Sequence, residues 1–177
     1  MLSIYISEYI HLSPVGQPGD DVAFVTWLNE KQISDNTLLI PYPYTPEDAA
    51  WFINHCREKQ ETTGHHTELA IRLATGELIG GCGFHDNNPL KPHQREIGYW
   101  LAKPYWGQGI MTLVVNQLCI YGYETFGLAR IEAPVFSFNT ASQRVLEKCG
   151  FAEEGYLRKS YLKNEQYIDA KLFARIF

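Results

Sequence analysis

A pair of glycines between a strand pattern and a long helix pattern constrains this chain more than any other feature. Glu96–Leu101 reads as a strand. Tyr105-Trp106-Gly107-Gln108-Gly109-Ile110-Met111-Thr112 follows it, and an apolar helix pattern then runs to about Phe126. Two glycines at such a junction let the backbone turn tightly and approach a ligand closely. The free N–H groups of the helix start face outward, at the positive end of the helix dipole. A turn of this kind binds an anion, most often a phosphate or pyrophosphate. The same residues also suit a plain turn in which glycine serves geometry alone. A Walker loop is excluded, because no Lys follows the glycines. A dinucleotide fingerprint lacks its third glycine, where Thr112 stands, and would normally lie near the start of a βαβ series.

The elements around this turn can be read from periodicity. Residues 3–12 alternate loosely as a first strand. A helix follows from Asp20-Asp21 to about Asn29, with acids in its first turn. Prolines interrupt the aromatic segment Leu38–Tyr44, which reads as irregular. Thr45-Pro46-Glu47-Asp48 is a helix start, with Thr45 as N-cap and proline at the first helical position. That helix should run to about Glu61 and bury Ala49, Phe52, Ile53 and Cys56. Strands over 67–74 and 77–84 flank a tight turn at Thr75-Gly76, and a polar loop covers 85–91. A fourth strand over 94–101 leads into the glycine turn. The helix after it shows two apolar rows, Ile110, Val114, Leu118 and Met111, Val115, Cys119, and stops at Gly127. A strand over 129–136, a helix over 139–148 and two strands over 151–160 and 166–176, joined through Lys163-Asn164, complete the order. This is a mixed α/β chain with mostly antiparallel strands.

At 177 residues, 45% of them hydrophobic, the chain suits one compact domain with a real core. A net charge of −5 argues against a nonspecific nucleic-acid binder. Cys56, Cys82, Cys119 and Cys149 form no Cys-x-x-Cys pair, and the histidines offer no zinc spacing, so free thiols and no metal are expected. His65-His66 reads as a loop. No signal peptide or apolar run of membrane-spanning length is apparent, and the expected location is the cytoplasm, without membrane attachment.

In this order, the motifs resemble those of the GNAT superfamily of acetyl-CoA-dependent N-acetyltransferases, and within it the RimJ/RimL branch. Ile40-Pro41-Tyr42-Pro43-Tyr44-Thr45-Pro46-Glu47-Asp48-Ala49 resembles that branch's segment before the second helix. Glu96–Leu101 resembles its fourth strand, and Trp106–Met111 sits at its pyrophosphate loop. Asn139–Phe151 fits its Asn-x-x-Ser-x-x-x-Leu-Glu-Lys-x-Gly-Phe helix, the most specific of the four matches. Two positions depart from the superfamily's loop pattern: Trp106 stands for Gln/Arg and Met111 for Gly/Ala. The resemblance implies a single GNAT domain over 1–177, with a central, mostly antiparallel sheet of about seven strands flanked by about four helices. It also implies acetyl-CoA as co-substrate, an amine acceptor, direct transfer in a ternary complex, and a monomer or homodimer.

Acetyl transfer requires a neutral amine, a polarised carbonyl and a stabilised thiolate. Glu96 is the candidate base. It shares a strand face with Gly98 and Trp100, and a carboxylate beside an aromatic side chain has the partly apolar setting that favours a base. A strand-end Glu paired with Arg95 is the alternative. The resemblance offers Ser142 as proton donor to the thiolate, because Leu146 stands where many superfamily members carry Tyr; a first-turn Ser bonded to backbone is its alternative. By resemblance Asn139 bonds the CoA arm, although Asn is also a strong N-cap. Leu101 and Ala102 would offer backbone groups to the pantetheine, and Trp106, Gly107, Gln108, Gly109, Ile110, Met111 and Thr112 would cradle the pyrophosphate. Tyr42, Tyr44, His85 and Trp100 are candidates for the acceptor side. The acceptor itself stays open between a protein or peptide α-amine, a small-molecule amine such as an aminoglycoside, polyamine or amino acid, and no acceptor at all in a CoA-binding sensor.

Overall fold

The computed structural model describes residues 2–85 and 88–177. Among the described residues are eight strands and five α-helices, a mixed α/β chain with more elements than the expected seven strands and four helices. The extra strand comes from residues 3–12. They form a short hairpin of β1 (Ile4–Tyr5) and β2 (Ile10–Pro14) rather than one strand. Ser7 explains the break, since its hydroxyl accepts from the N–H groups of Tyr9 and Ile10 and so turns the chain. The extra helix is α2 (Lys31–Asp35). It follows α1 (Asp20–Leu28), and the Glu30 carboxylate caps it by accepting from the Gln32 N–H. Five residues are too few to show a periodicity.

The chain forms two compact units, Met1–Gly83 with Tyr99–Ile110, and Phe84–Gly98 with Met111–Phe177. In the first unit β2 pairs antiparallel with β3 (Glu68–Leu73), which pairs antiparallel with β4 (Leu78–His85). Helix α3 (Pro46–Thr63) starts where its sequence signal lies. Thr45 Oγ1 accepts from the Asp48 N–H, and the Asp48 carboxylate accepts from the Thr45 N–H at 2.8 Å. Phe24, Leu28, Ile33, Tyr44, Ala49, Ala70 and Leu78 form this unit's core, and burial of each large apolar side chain contributes roughly 1.5–3 kcal/mol. Asp20 serves more than the dipole of α1. It is fully buried and takes two bonds of 2.7 and 2.8 Å from Arg72, plus the N–H groups of Gly16 and Gln17.

In the second unit β5 (Gln94–Leu101), whose last three residues belong to the first unit, pairs parallel with β6 (Arg130–Phe136). β6 pairs antiparallel with β8 (Gln166–Ile176), which pairs antiparallel with β7 (Ala152–Lys163). The turn between the last two strands centres on Asn164-Glu165, one residue later than expected, and both residues have positive φ. Helices α4 (Ile110–Phe126) and α5 (Thr140–Lys148) complete the unit, and Val114, Val115, Leu118, Cys119 and Leu146 are fully buried. One face of the strands lies against α4: Arg175, opposite Ile131 in register, donates to Asn116 Oδ1 at 3.0 Å. Of the loop expected over 85–91, His85 ends β4, and residues 86 and 87 lie outside the described residues. No helix among the described residues is long and apolar enough to cross a membrane.

Candidate functional site

The glycine turn is built by backbone and side-chain braces within the first unit. After β5 the chain makes a 3-10 turn, Lys103–Tyr105, in which the Tyr105 N–H donates to Ala102 O and the Trp106 N–H to Lys103 O. Trp106 Nε1 donates to the Leu101 carbonyl at 2.7 Å, and Gln108 Nε2 donates to the Pro104 carbonyl at 3.0 Å. Both side chains thus hold the turn rather than reach outward. Gly107 and Gly109 have φ of +73° and +79°, and a methyl group added at either would meet no atom within 4 Å. A left-handed conformation costs an L side chain roughly 1–2 kcal/mol, so glycine is favoured at both positions although space is ample. The turn is exposed from Trp106 to Gly109 and runs directly into α4 at Ile110. The first N–H groups of that helix therefore have no partner within it. Met111 and Thr112 in its first turn are half-buried, and the Thr112 carbonyl accepts from the Cys149 thiol. The two backbone groups expected to meet a pantetheine differ. Leu101 O carries the Trp106 bond, and the Ala102 N–H is already donated to Ile79 O at 2.8 Å.

The aromatic candidates of the first unit separate by burial. Tyr42 is about half exposed, at 52%. Tyr44 is buried in the core at 6%, with its backbone N–H and carbonyl both bonded to the Asn29 side chain. Burial, with Asp48 and Cys56 nearby, pushes its phenol up to about 12. Trp100 is half-buried and packs against Phe24 with ring centres 6.1 Å apart, part of the same core.

The second unit brings together Glu96, Gly98 and His85. Glu96 is half-buried on β5. The His85 imidazole lies across Gly98 so closely that a Cβ on that residue would collide with Nε2. Gly98 and Glu96 are two residues apart and share a strand face, so the imidazole occupies the side of the strand that carries Glu96. Arg95, the alternative partner for Glu96, places its guanidinium 4.1 Å over the Phe126 ring. Glu132, opposite Glu96 in the parallel register, is paired with Arg130 at 2.6 Å. On α5, Asn139 acts as the N-cap, its side-chain oxygen accepting from the Ser142 N–H at 3.1 Å. Ser142 is half-buried in the first turn, and Leu146 is fully buried.

Three groups were not singled out from sequence. Gln143 is buried and donates to Ser137 O, fixing the approach to α5. Tyr161 packs edge-on against Phe136 at 5.7 Å; burial, with the Glu96 charge second, raises its phenol. Glu68 is strongly perturbed by its surroundings. Burial outweighs Lys59, 3.3 Å away, and pushes it up to about 7. Strand patterning marked none of them, because each is set by a partner outside its own helix or strand. Among the described residues no group of three metal-ligating side chains is assembled.

The family model for the acetyltransferase (GNAT) domain matches residues 10–152. Among curated proteins, the uncharacterized N-acetyltransferase YoaA of Bacillus subtilis (strain 168) is 39% identical over 104 residues, 58% of each chain. The ribosomal-protein-serine acetyltransferase of Escherichia coli (strain K12) is 35% identical over 111 residues, 63% of this chain and 62% of that one. The chain thus matches less than two thirds of the length of these relatives. Among solved structures, RimL, a ribosomal L7/L12 alpha-N-protein acetyltransferase in complex with coenzyme A, superimposes with a TM-score of 0.88 at 21% identity, covering 99% of this chain and 98% of that one. At that identity the likeness is one of fold.

Proposed function

The chain belongs to the acetyltransferase (GNAT) family, and from that premise we propose that it transfers the acetyl group of acetyl-CoA to a primary amine, in the first place the N-terminal α-amine of a protein or peptide. The observation that carries this reading is the exposed left-handed glycine turn, Gly107 and Gly109, leading into the first N–H groups of α4, which have no partner within the helix. That geometry suits the pyrophosphate of CoA. Gln108, Gly109, Ile110, Met111 and Thr112 would meet it with backbone amides, and Trp106 and Gly107 would set the turn. Leu101, Ala102 and Asn139 would line the arm. The Ala102 N–H is already donated to Ile79 O and its carbonyl already accepts from the Tyr105 N–H, so its contribution would use the carbonyl's second lone pair. The names of the relatives, ribosomal-protein-serine acetyltransferase and an L7/L12 alpha-N-protein acetyltransferase, favour a protein terminus as acceptor.

In this reading both substrates are bound before reaction. Glu96 takes a proton from the acceptor amine, and the amine nitrogen attacks the thioester carbonyl. The N–C bond forms and the C–S bond breaks. Ser142 gives its hydroxyl proton to the departing thiolate and regains one from water. By resemblance, Tyr42, Tyr44, His85 and Trp100 are the candidates for the acceptor side. The test is CoA release from acetyl-CoA, followed by thiol detection, with short peptides of varied first residue, polyamines, aminoglycosides and free amino acids as acceptors. Release that depends on a peptide α-amine is expected. Release only with a small amine would reassign the acceptor. Binding of acetyl-CoA without release for any acceptor would replace the transferase with a CoA-binding sensor.

A further inference from the structure

β7 carries a deformation that its sequence does not announce. Leu157 is opposite Ala170 and Tyr161 is opposite Ile168, so four steps on β7 match two on β8. The additional residues form a bulge at Arg158-Lys159-Ser160, where Lys159 has a φ of +51°. Asp169 clamps it, accepting from the Lys159 N–H at 2.7 Å and from the Tyr156 hydroxyl at 2.8 Å. Bulges re-aim the side chains that follow them and are enriched beside active sites.

Tyr161 follows the bulge, and because two residues are inserted it keeps the sheet face of Leu157; that face follows from register. Glu96 is opposite Glu132 in a parallel pair, so both project from one face of the sheet. Phe136 lies four residues beyond Glu132 on an unbroken strand and shares that face. Tyr161 packs edge-on against Phe136 at 5.7 Å. Its phenol also feels the Glu96 charge through space. Three strands therefore bring titratable groups to one face: His85 across Gly98, Glu96 itself, and Tyr161. This face is the reverse of the one that Arg175 ties to α4.

We propose that Tyr161 is a further positioning residue of the acceptor site, its ring held between the clamped bulge and Phe136 on the face of Glu96 to orient the incoming amine. The assignment rests on the transferase reading above. A phenol suits this task because it accepts from an ammonium or amine N–H with its oxygen while its own proton points to a carboxylate. Packing on Phe136 fixes the ring, so little rotational freedom is lost when the amine arrives.

The test compares wild type with Tyr161→Phe and Asp169→Ala, using thiol release with the best peptide acceptor. Tyr161→Phe keeps the ring contact with Phe136 and removes only the hydroxyl. The expected result is an acceptor KM raised by about tenfold, with the acetyl-CoA KM unchanged. Asp169→Ala releases the bulge and should show the same selective loss with the hydroxyl still present. An active wild type with unaltered Tyr161→Phe kinetics would overturn the assignment alone. Equal loss for both substrates would also overturn it, because a merely structural role predicts that pattern. A wild type that releases no thiol with any acceptor would overturn the transferase reading, and this assignment with it.

Discussion

Glu68 in the first unit and Glu96 in the second are both partly sheltered carboxylates on strands, and each lies beside a glycine. Their surroundings differ in kind. The Glu68 carboxyl fills the space where a side chain on Gly83 would stand, and Lys59 on α3 bridges to it. Its side chain is only 10% exposed. At Gly98 the vacated space belongs to His85, a residue that is itself exposed, and Glu96 is left beside it on the same face. The raised carboxyl of Glu68 is thus enclosed by its own fold. Glu96 has an imidazole as its neighbour on the strand face. A shifted pKa marks a functional site only when a substrate can reach it.

Asp20 is the extreme of the enclosed kind, and breaking it should produce the largest effect. Asp20→Ala leaves Arg72 buried without its partner, and loss of one member of a buried pair costs about 3–5 kcal/mol. Urea unfolding should show that loss, while turnover per folded molecule stays at the wild-type level. Wild-type stability after Asp20→Ala would remove the pair from the account of the fold.

Glu68 sharpens the comparison through pH. Its folded pKa of about 7 lies above the ordinary 4.5, so the folded state binds the proton more tightly. The stability from that proton is fully present below about pH 4.5 and is lost as pH rises to about 7, a change on the order of 2–3 kcal/mol. Glu68→Gln should flatten the stability curve across this window and leave the pH dependence of turnover unchanged. A Glu68→Gln variant with an altered pH–rate profile would show that Glu68 takes part in chemistry.

Ser142 should give the smallest effect of this series. Ser142→Ala keeps the N–H that Asn139 caps, so the helix start survives. Turnover should fall by about tenfold, with kcat affected more than KM. If chemistry limits the rate and kcat is unchanged, Ser142 is a helix-start residue only.

The contrast between what is local and what is distant also explains what was legible in the sequence. Thr45 with Asp48, Asn139 before α5, and the glycines at 107 and 109 are recognisable because the partner or the conformation lies within a few residues. The strand that carries Glu96 and Gly98 was legible for the same reason, through alternation over a few residues. The Arg72–Asp20 pair spans 52 residues and could not be read from either end. The packing of Trp100 on the Phe24 ring of α1 likewise joins residues distant in sequence and could not be read from its strand. Tyr161 was hidden because the earlier register shift, between Glu153 and Gly155, inserts a single residue into β7 and so breaks the two-residue period counted from the strand's start. The split of residues 3–12 turned on one serine hydroxyl, whose competition with strand pairing leaves no pattern.

The central claim is that Glu96 acts as the base in acetyl transfer. The most direct measurement is the rate of thiol release for wild type and Glu96→Gln over about pH 6 to 9 with one reactive acceptor. A loss of about 100-fold is expected near neutral pH, narrowing at higher pH as the amine reaches its free form without assistance. Superimposable pH–rate profiles would contradict the claim and remove Glu96 from the chemistry.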